Sequence, residues 1–193
     1  AGLQAEPAIY HDDFADEVQA LLRGLDAVLV WQNPIVEGRR RGRLDAMLRE
    51  LGDAGVLVST HPDTIERLGT KDVLVATRAL PFGSDARRVD SLEQLQRELP
   101  ARLDVGARVL KQHRGHSGIG VWRVEWADRA ARRLRLRHAE RGSLEQVVGW
   151  DTLLQTLAPY FEAEAGGHMV DQAWQSRLAE GMVRAYLVED RVA

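Results

Sequence analysis

Of the 26 lysine and arginine side chains in this chain of 193 residues, only Lys71 and Lys111 are lysines. A sequence that uses arginine wherever a positive charge will do, yet keeps two lysines, points to a use for the ammonium itself. That compact group on a flexible stem meets a phosphate oxygen as a mobile point charge, where a guanidinium meets it as a planar fork. Lys111 opens the segment Lys111-Gln112-His113-Arg114-Gly115-His116-Ser117-Gly118-Ile119-Gly120-Val121. A lysine closes one strand, a loop of small residues follows, and a second strand begins. Glycines let the backbone approach a ligand and aim successive N–H groups at anionic oxygen. Gly115, His116, Ser117, Gly118 and Gly120 are therefore candidates for covering a phosphate. A loop with few internal contacts could close over it as a lid.

Other chemistries fit the residues less well. A Walker A loop needs Gly-Lys-Ser/Thr opening a helix, and no lysine here follows a glycine. The dinucleotide fingerprint lies between a strand and a helix, whereas this loop joins two strands. The six histidines are scattered without zinc-ligand spacing, there is no cysteine, and no Gly-x-Ser-x-Gly marks a serine nucleophile. No metal ligands are assigned.

The elements that must carry the two lysines divide into two parts. Residues 1–69 read as alternating strand and helix: a strand ending at Ala8-Ile9-Tyr10, a helix capped by Asp12 or Asp13, and an apolar strand Ala27–Trp31 buried on both faces. A helix with Leu44, Met47, Leu48 and Leu51 on one stripe follows, then strand Val56–Ser59 and a short helix from Pro62 to Leu68. This is a partial parallel α/β layer. Residues 70–193 read as α+β with an antiparallel sheet. Thr70 caps a helix from Lys71, and Ser91 caps another ending at Leu99. Strands follow at 108–112, 120–125 and 134–136, then a helix at 149–161 and strands at 169–172 and 182–188. The alternation Arg133-Leu134-Arg135-Leu136-Arg137 suits a strand with one wet face.

In this order the residues resemble the ATP-grasp superfamily, which includes glutathione synthetase, D-alanine ligases and biotin carboxylase. Those enzymes carry a Lys-x-x-x-Gly-x-x-Gly-x-Gly-Val flap, matched from Lys111, and an earlier lysine after a short helix, matched by Gly69-Thr70-Lys71. Met169-Val170-Asp171-Gln172 looks like the hinge strand that reads the adenine, which implies binding roles for Asp171 and Gln172. Glu180-Gly181-Met182-Val183-Arg184 is similar to the glutathione synthetase segment whose arginine holds the substrate carboxylate or transferred phosphoryl group, which gives Arg184 a catalytic role. With Asn33-Pro34, the set also looks like a bacterial group related to ATP-grasp enzymes. The resemblance implies a pre-ATP-grasp α/β layer, an ATP-grasp subdomain, and ATP with Mg²⁺. It implies an ATP-dependent carboxylate–amine or carboxylate–thiol ligase acting through an acyl phosphate, with a small carboxylate as substrate.

Two departures qualify the match. His116 and Ser117 stand where many members have glycine, so the flap is expected to be stiffer. The family's metal ligands lie downstream of Ala193, so the chain is expected to be a fragment, inactive alone, with the Mg²⁺ ligands outside it. The alternative is a non-catalytic nucleotide-binding or regulatory module of the same fold, which would bind nucleotide without turnover. The net charge of −3 and a pI near 6.1 give no reason to expect nucleic acid as a partner. No apolar run approaches the roughly 20 residues needed to cross a bilayer, and the cytoplasm is the expected compartment. Assembly is left open, a homodimer among the options.

Overall fold

The structure, a computed structural model, describes residues 2–33, 35–36, 39–115, 117–162, 167–183, 187–188 and 191–192. It is a mixed α/β arrangement with a two-stranded parallel sheet and a six-stranded antiparallel sheet.

The first part begins without the expected strand at 8–10. Its first element is a 3₁₀ turn, Asp12–Phe14, capped by the His11 side chain, leading into α1 (Ala15–Leu22). Strand β1 (Ala27–Leu29) pairs in parallel with β4 (Leu57–Ser59). Between them come the short β2 (Ile35–Val36) and β3 (Arg39–Arg40) pair and α2 (Gly42–Asp53). Leu44, Met47, Leu48 and Leu51 of α2 bury against Val18 and Leu22 of α1 and against Val56 and Val58. The β1 segment is not buried on both faces. Leu29 and Leu57 project from the side opposite Val28 and Val58, and Leu29, Leu57 and Trp31 are exposed.

After α3 (Pro62–Leu68) comes the short α4 (Asp72–Ala76). Thr70 does not cap it; its hydroxyl donates back to the Glu66 carbonyl at 3.3 Å. Then follow β5 (Ala86–Val89), α5 (Leu92–Val105), β6 (Arg108–Gln112), β7 (Val121–Asp128), β8 (Arg133–His138), β9 (Gln146–Gly149), α6 (Trp150–Leu157) and β10 (Met169–Ala173). Ser91 caps α5 by accepting from the Gln94 amide at 3.1 Å. The helix does not stop at Leu99 but runs through Pro100, carrying Leu95, Leu99 and Leu103 onto the sheet.

The large sheet has the order β5-β10-β6-β7-β8-β9. Side chains alternate across it. Leu110, Val124, Leu134, Leu136 and Met169 face α5 and α6 and form the core with Leu153 and Leu157. β8 behaves as its alternation predicts, with Leu134 and Leu136 buried and Arg133, Arg135 and Arg137 exposed. Beyond β10, the strand expected at 182–188 does not include Met182 or Val183; β11 (Leu187–Val188) pairs with β12 (Arg191–Val192), and residues 184–186 lie outside the described residues. Among the described residues, no helix is long and apolar enough to cross a membrane.

Candidate functional site

Lys111 lies near the end of β6, opposite Val170 of β10 and Val121 of β7. Pleat alternation puts Lys111, Val109, Val170 and Gln172 on the face of the sheet opposite the core formed with α5 and α6, and Val170 and Gln172 are buried there. There the Lys111 ammonium donates to the Gln172 side-chain carbonyl. An ammonium has no acceptor, so this contact orients the amide, and Gln172 Nε2 then donates to Ser84 Oγ at 2.6 Å.

Lys71 reaches the same region from α4. Its backbone N–H donates to the His113 carbonyl at 2.9 Å, and its Nζ to the Gly115 carbonyl at 3.0 Å. Burial lowers the Lys71 pKa, and the positive charge of Lys111 lowers it further. Burial also lowers that of Lys111. Each ammonium donates to a neutral acceptor, and among the described residues neither lysine forms an ion pair. Two half-buried like charges therefore lie close to one another with no counter-charge among the described residues, an arrangement an anion would relieve.

The loop between β6 and β7 is more firmly braced than a free lid. Gln112 N–H donates to the Gly120 carbonyl at 2.7 Å, and its side chain donates to the Ile119 carbonyl at 3.1 Å. The Gly120 N–H donates to His138 Nε2 at 3.1 Å. With Nε2 accepting, the His138 proton lies on Nδ1, 3.0 Å from Glu140 Oε2. The glycines have internal reasons to be glycine. Gly118 has φ +84°, and a Cβ there would come within 2.8 Å of the Ala139 carbonyl oxygen; Gly115 and Gly120 also have positive φ and lie against the Gln112 side chain. Ser117 adopts φ 54°. His116 and Arg184, both assigned roles from the sequence, lie outside the described residues.

Asp171 is a correction. Its side chain points to the face opposite Lys111 and Gln172, where it is 1% exposed and bonds Arg102 of α5 and Arg108 Nε of β6, the latter at 2.7 Å. Both arginines continue to Asp85, at 3.1 and 2.8 Å. Burial raises the Asp85 pKa, but the hydrogen bonds from the two arginines outweigh it and leave it lowered. The carboxylate braces the back of β10 and does not enter the site. On the Lys111 face, the next row along the strands brings the Arg123 guanidinium 4.6 Å over the Trp174 ring. The cavity of about 320 Å³ bounded by Trp122, His138, Thr152 and Thr156 opens on the other side of the sheet and does not include the lysines.

Sequence reasoning missed Ser84, Asp72 and His168. His168 Nε2 lies 2.9 Å from Asp72 Oδ1, a contact across 96 positions with no local signature.

No family model matches this chain, and no curated protein matches it.

Proposed function

We propose that the site where Lys71, at the start of α4, meets Lys111 of the antiparallel sheet binds the phosphates of a nucleotide. One observation carries this reading: the chain's only two lysines, distant in sequence, converge as half-buried ammonium groups with no ion-pair partner among the described residues. Lys71 and Lys111 would take phosphate oxygens, and the loop from Gly115 to Gly120 would lie over them. Gln172, held by Ser84, would keep Lys111 aimed at the ligand. The strands run away from the loop past Val109, so the base would lie toward Trp174 and Arg123.

The motif order supports an ATP-grasp assignment for this site, and with it ATP-dependent ligation. In that reaction a carboxylate oxygen attacks the γ-phosphorus, the bond to the bridging oxygen breaks, and ADP leaves. An amine or thiol then displaces phosphate from the acyl phosphate. The chain's own share is charge neutralisation and positioning, the usual protein contribution to phosphoryl transfer. Among the described residues, no group of three or more acidic or histidine side chains could hold a metal ion, and no step is assigned to Mg²⁺ here.

Calorimetric titration with MgADP and with inorganic phosphate tests the reading. Saturable MgADP binding, abolished or weakened by Lys71→Met and by Lys111→Met, is the expected result. Absence of binding, or binding indifferent to both substitutions, rejects it.

A further inference from the structure

At the start of α4, three elements meet through side chains that phosphate binding does not use. His113, just after β6, and His168, just before β10, are each 5% exposed, and their rings lie 4.3 Å apart. His168 Nε2 lies 2.9 and 3.0 Å from the two carboxylate oxygens of Asp72. A ring nitrogen that close to a carboxylate carries the proton and donates it. Asp72 follows Lys71 directly, and the Lys71 amide is bonded to the His113 carbonyl. A closed circuit results: the Lys71-Asp72 pair is tied to His113 through the backbone, and to His168, whose ring packs at a 32° tilt against that of His113, through a side chain. Among the described residues, the charged groups around it include Arg88 of β5, 3.9 Å from Asp72, and Arg114, paired with Glu66 of α3 at 3.4 Å.

We propose that Asp72 and His168 are positioning residues that hold the Lys71 ammonium in the site beside Lys111. The helix carrying Asp72 has five residues and buries none of them fully, so its own hydrogen bonds and its part-buried face give it only a weak hold on its place. Lys71 must also be held against a like charge, which pushes it toward solvent. The Asp72–His168 bond supplies the restraint at the adjacent residue, and the tilted contact with the His113 ring limits how far the imidazole can turn. The consequence for ligand binding rests on the phosphate reading above; the placement of Lys71 does not.

With two lysines in the chain, competitive amine labelling across pH, read by peptide mass spectrometry, titrates Lys71 and Lys111 separately. In Asp72→Ala and His168→Phe, Lys71 is expected to leave its half-buried position, and its pKa to rise toward the ordinary lysine range. His168→Gln keeps an N–H donor for Asp72 and is expected to preserve the wild-type titration. Simple removal of a nearby carboxylate would move Lys71 downward, so a rise reports movement and not lost charge. A Lys71 titration that stays fixed or falls in Asp72→Ala overturns the proposal, and this variant carries the test even if His168→Phe does not fold, because Asp72 is one-third exposed. A second arm measures MgADP affinity, expected to fall roughly three- to tenfold in Asp72→Ala and to be retained in His168→Gln. If the wild-type protein binds no MgADP, the phosphate reading fails while the labelling arm still decides the role of Asp72 and His168.

Discussion

The positive charge of Lys111 lowers the proton affinity of Lys71, adding to the effect of burial. Lys71 arrives from the flank of a short helix and Lys111 from the middle strands of a sheet, and neither forms an ion pair among the described residues. The first prediction uses this coupling. Lys111→Met removes one of the two causes that depress Lys71, so the Lys71 pKa rises. The same substitution weakens MgADP binding at least tenfold, about 1.4 kcal/mol. Labelling reads the first effect and calorimetry the second.

A proton balance follows from the direction of the shift. In the free protein Lys71 is depressed; a bound phosphate favours its charged form and raises it. Binding therefore takes up protons at any pH between the free and bound values, and affinity falls as pH rises through that window. Calorimetry in buffers of different ionisation enthalpy measures the uptake, and Lys71→Met should abolish it. Folding stability depends on pH with the opposite sign. A depressed lysine costs stability at pH below its folded-state value, where both states are charged, and the cost fades as pH rises from that value to the unfolded one.

Asp171 offers a stability prediction separate from the site. Its carboxylate is buried between Arg102 and Arg108, with side-chain exposures of 2%, 11% and 3% in that order. Removing its charge leaves two guanidinium groups with less than full compensation, and loss of one partner from a buried pair costs about 3 kcal/mol or more. Asp171→Asn is expected to lower the urea midpoint accordingly. Asp85→Asn, at a carboxylate 53% exposed, is expected to cost about 1 kcal/mol or less.

The loop glycines can be tested against one another. Gly118 and Gly142 both have positive φ, +84° and +88°, but a Cβ at Gly118 meets the Ala139 carbonyl while one at Gly142 meets nothing. Gly142→Ala should cost only the backbone strain, about 1 kcal/mol. Gly118→Ala should cost more, and amide exchange should quicken across the β6–β7 hairpin.

By itself the sequence determined those features whose cause is local. The alternation from Arg133 to Arg137 named the wet and dry faces of β8, the stripe from Leu44 to Leu51 named the buried face of α2, and Ser91 named a helix start. The strand–glycine loop–strand pattern at Lys111 was legible for the same reason: φ > 0 and close approach leave their mark in residue type. Tertiary structure decided what depends on partners. Ala86–Val89 and Gln146–Gly149 are strands because β10 and β8 offer them hydrogen bonds, not because four residues carry a period. α5 continues through Pro100 because Leu99 and Leu103 on either side are buried in the core. Asp171 and Gln172 show the division most plainly. The resemblance to an adenine-reading hinge strand gave them one shared role, but successive strand residues point to opposite faces, and the packing of α5 and α6 chose which face became the core. That choice put the carboxylate behind the sheet with two arginines and the amide in front of it with Lys111.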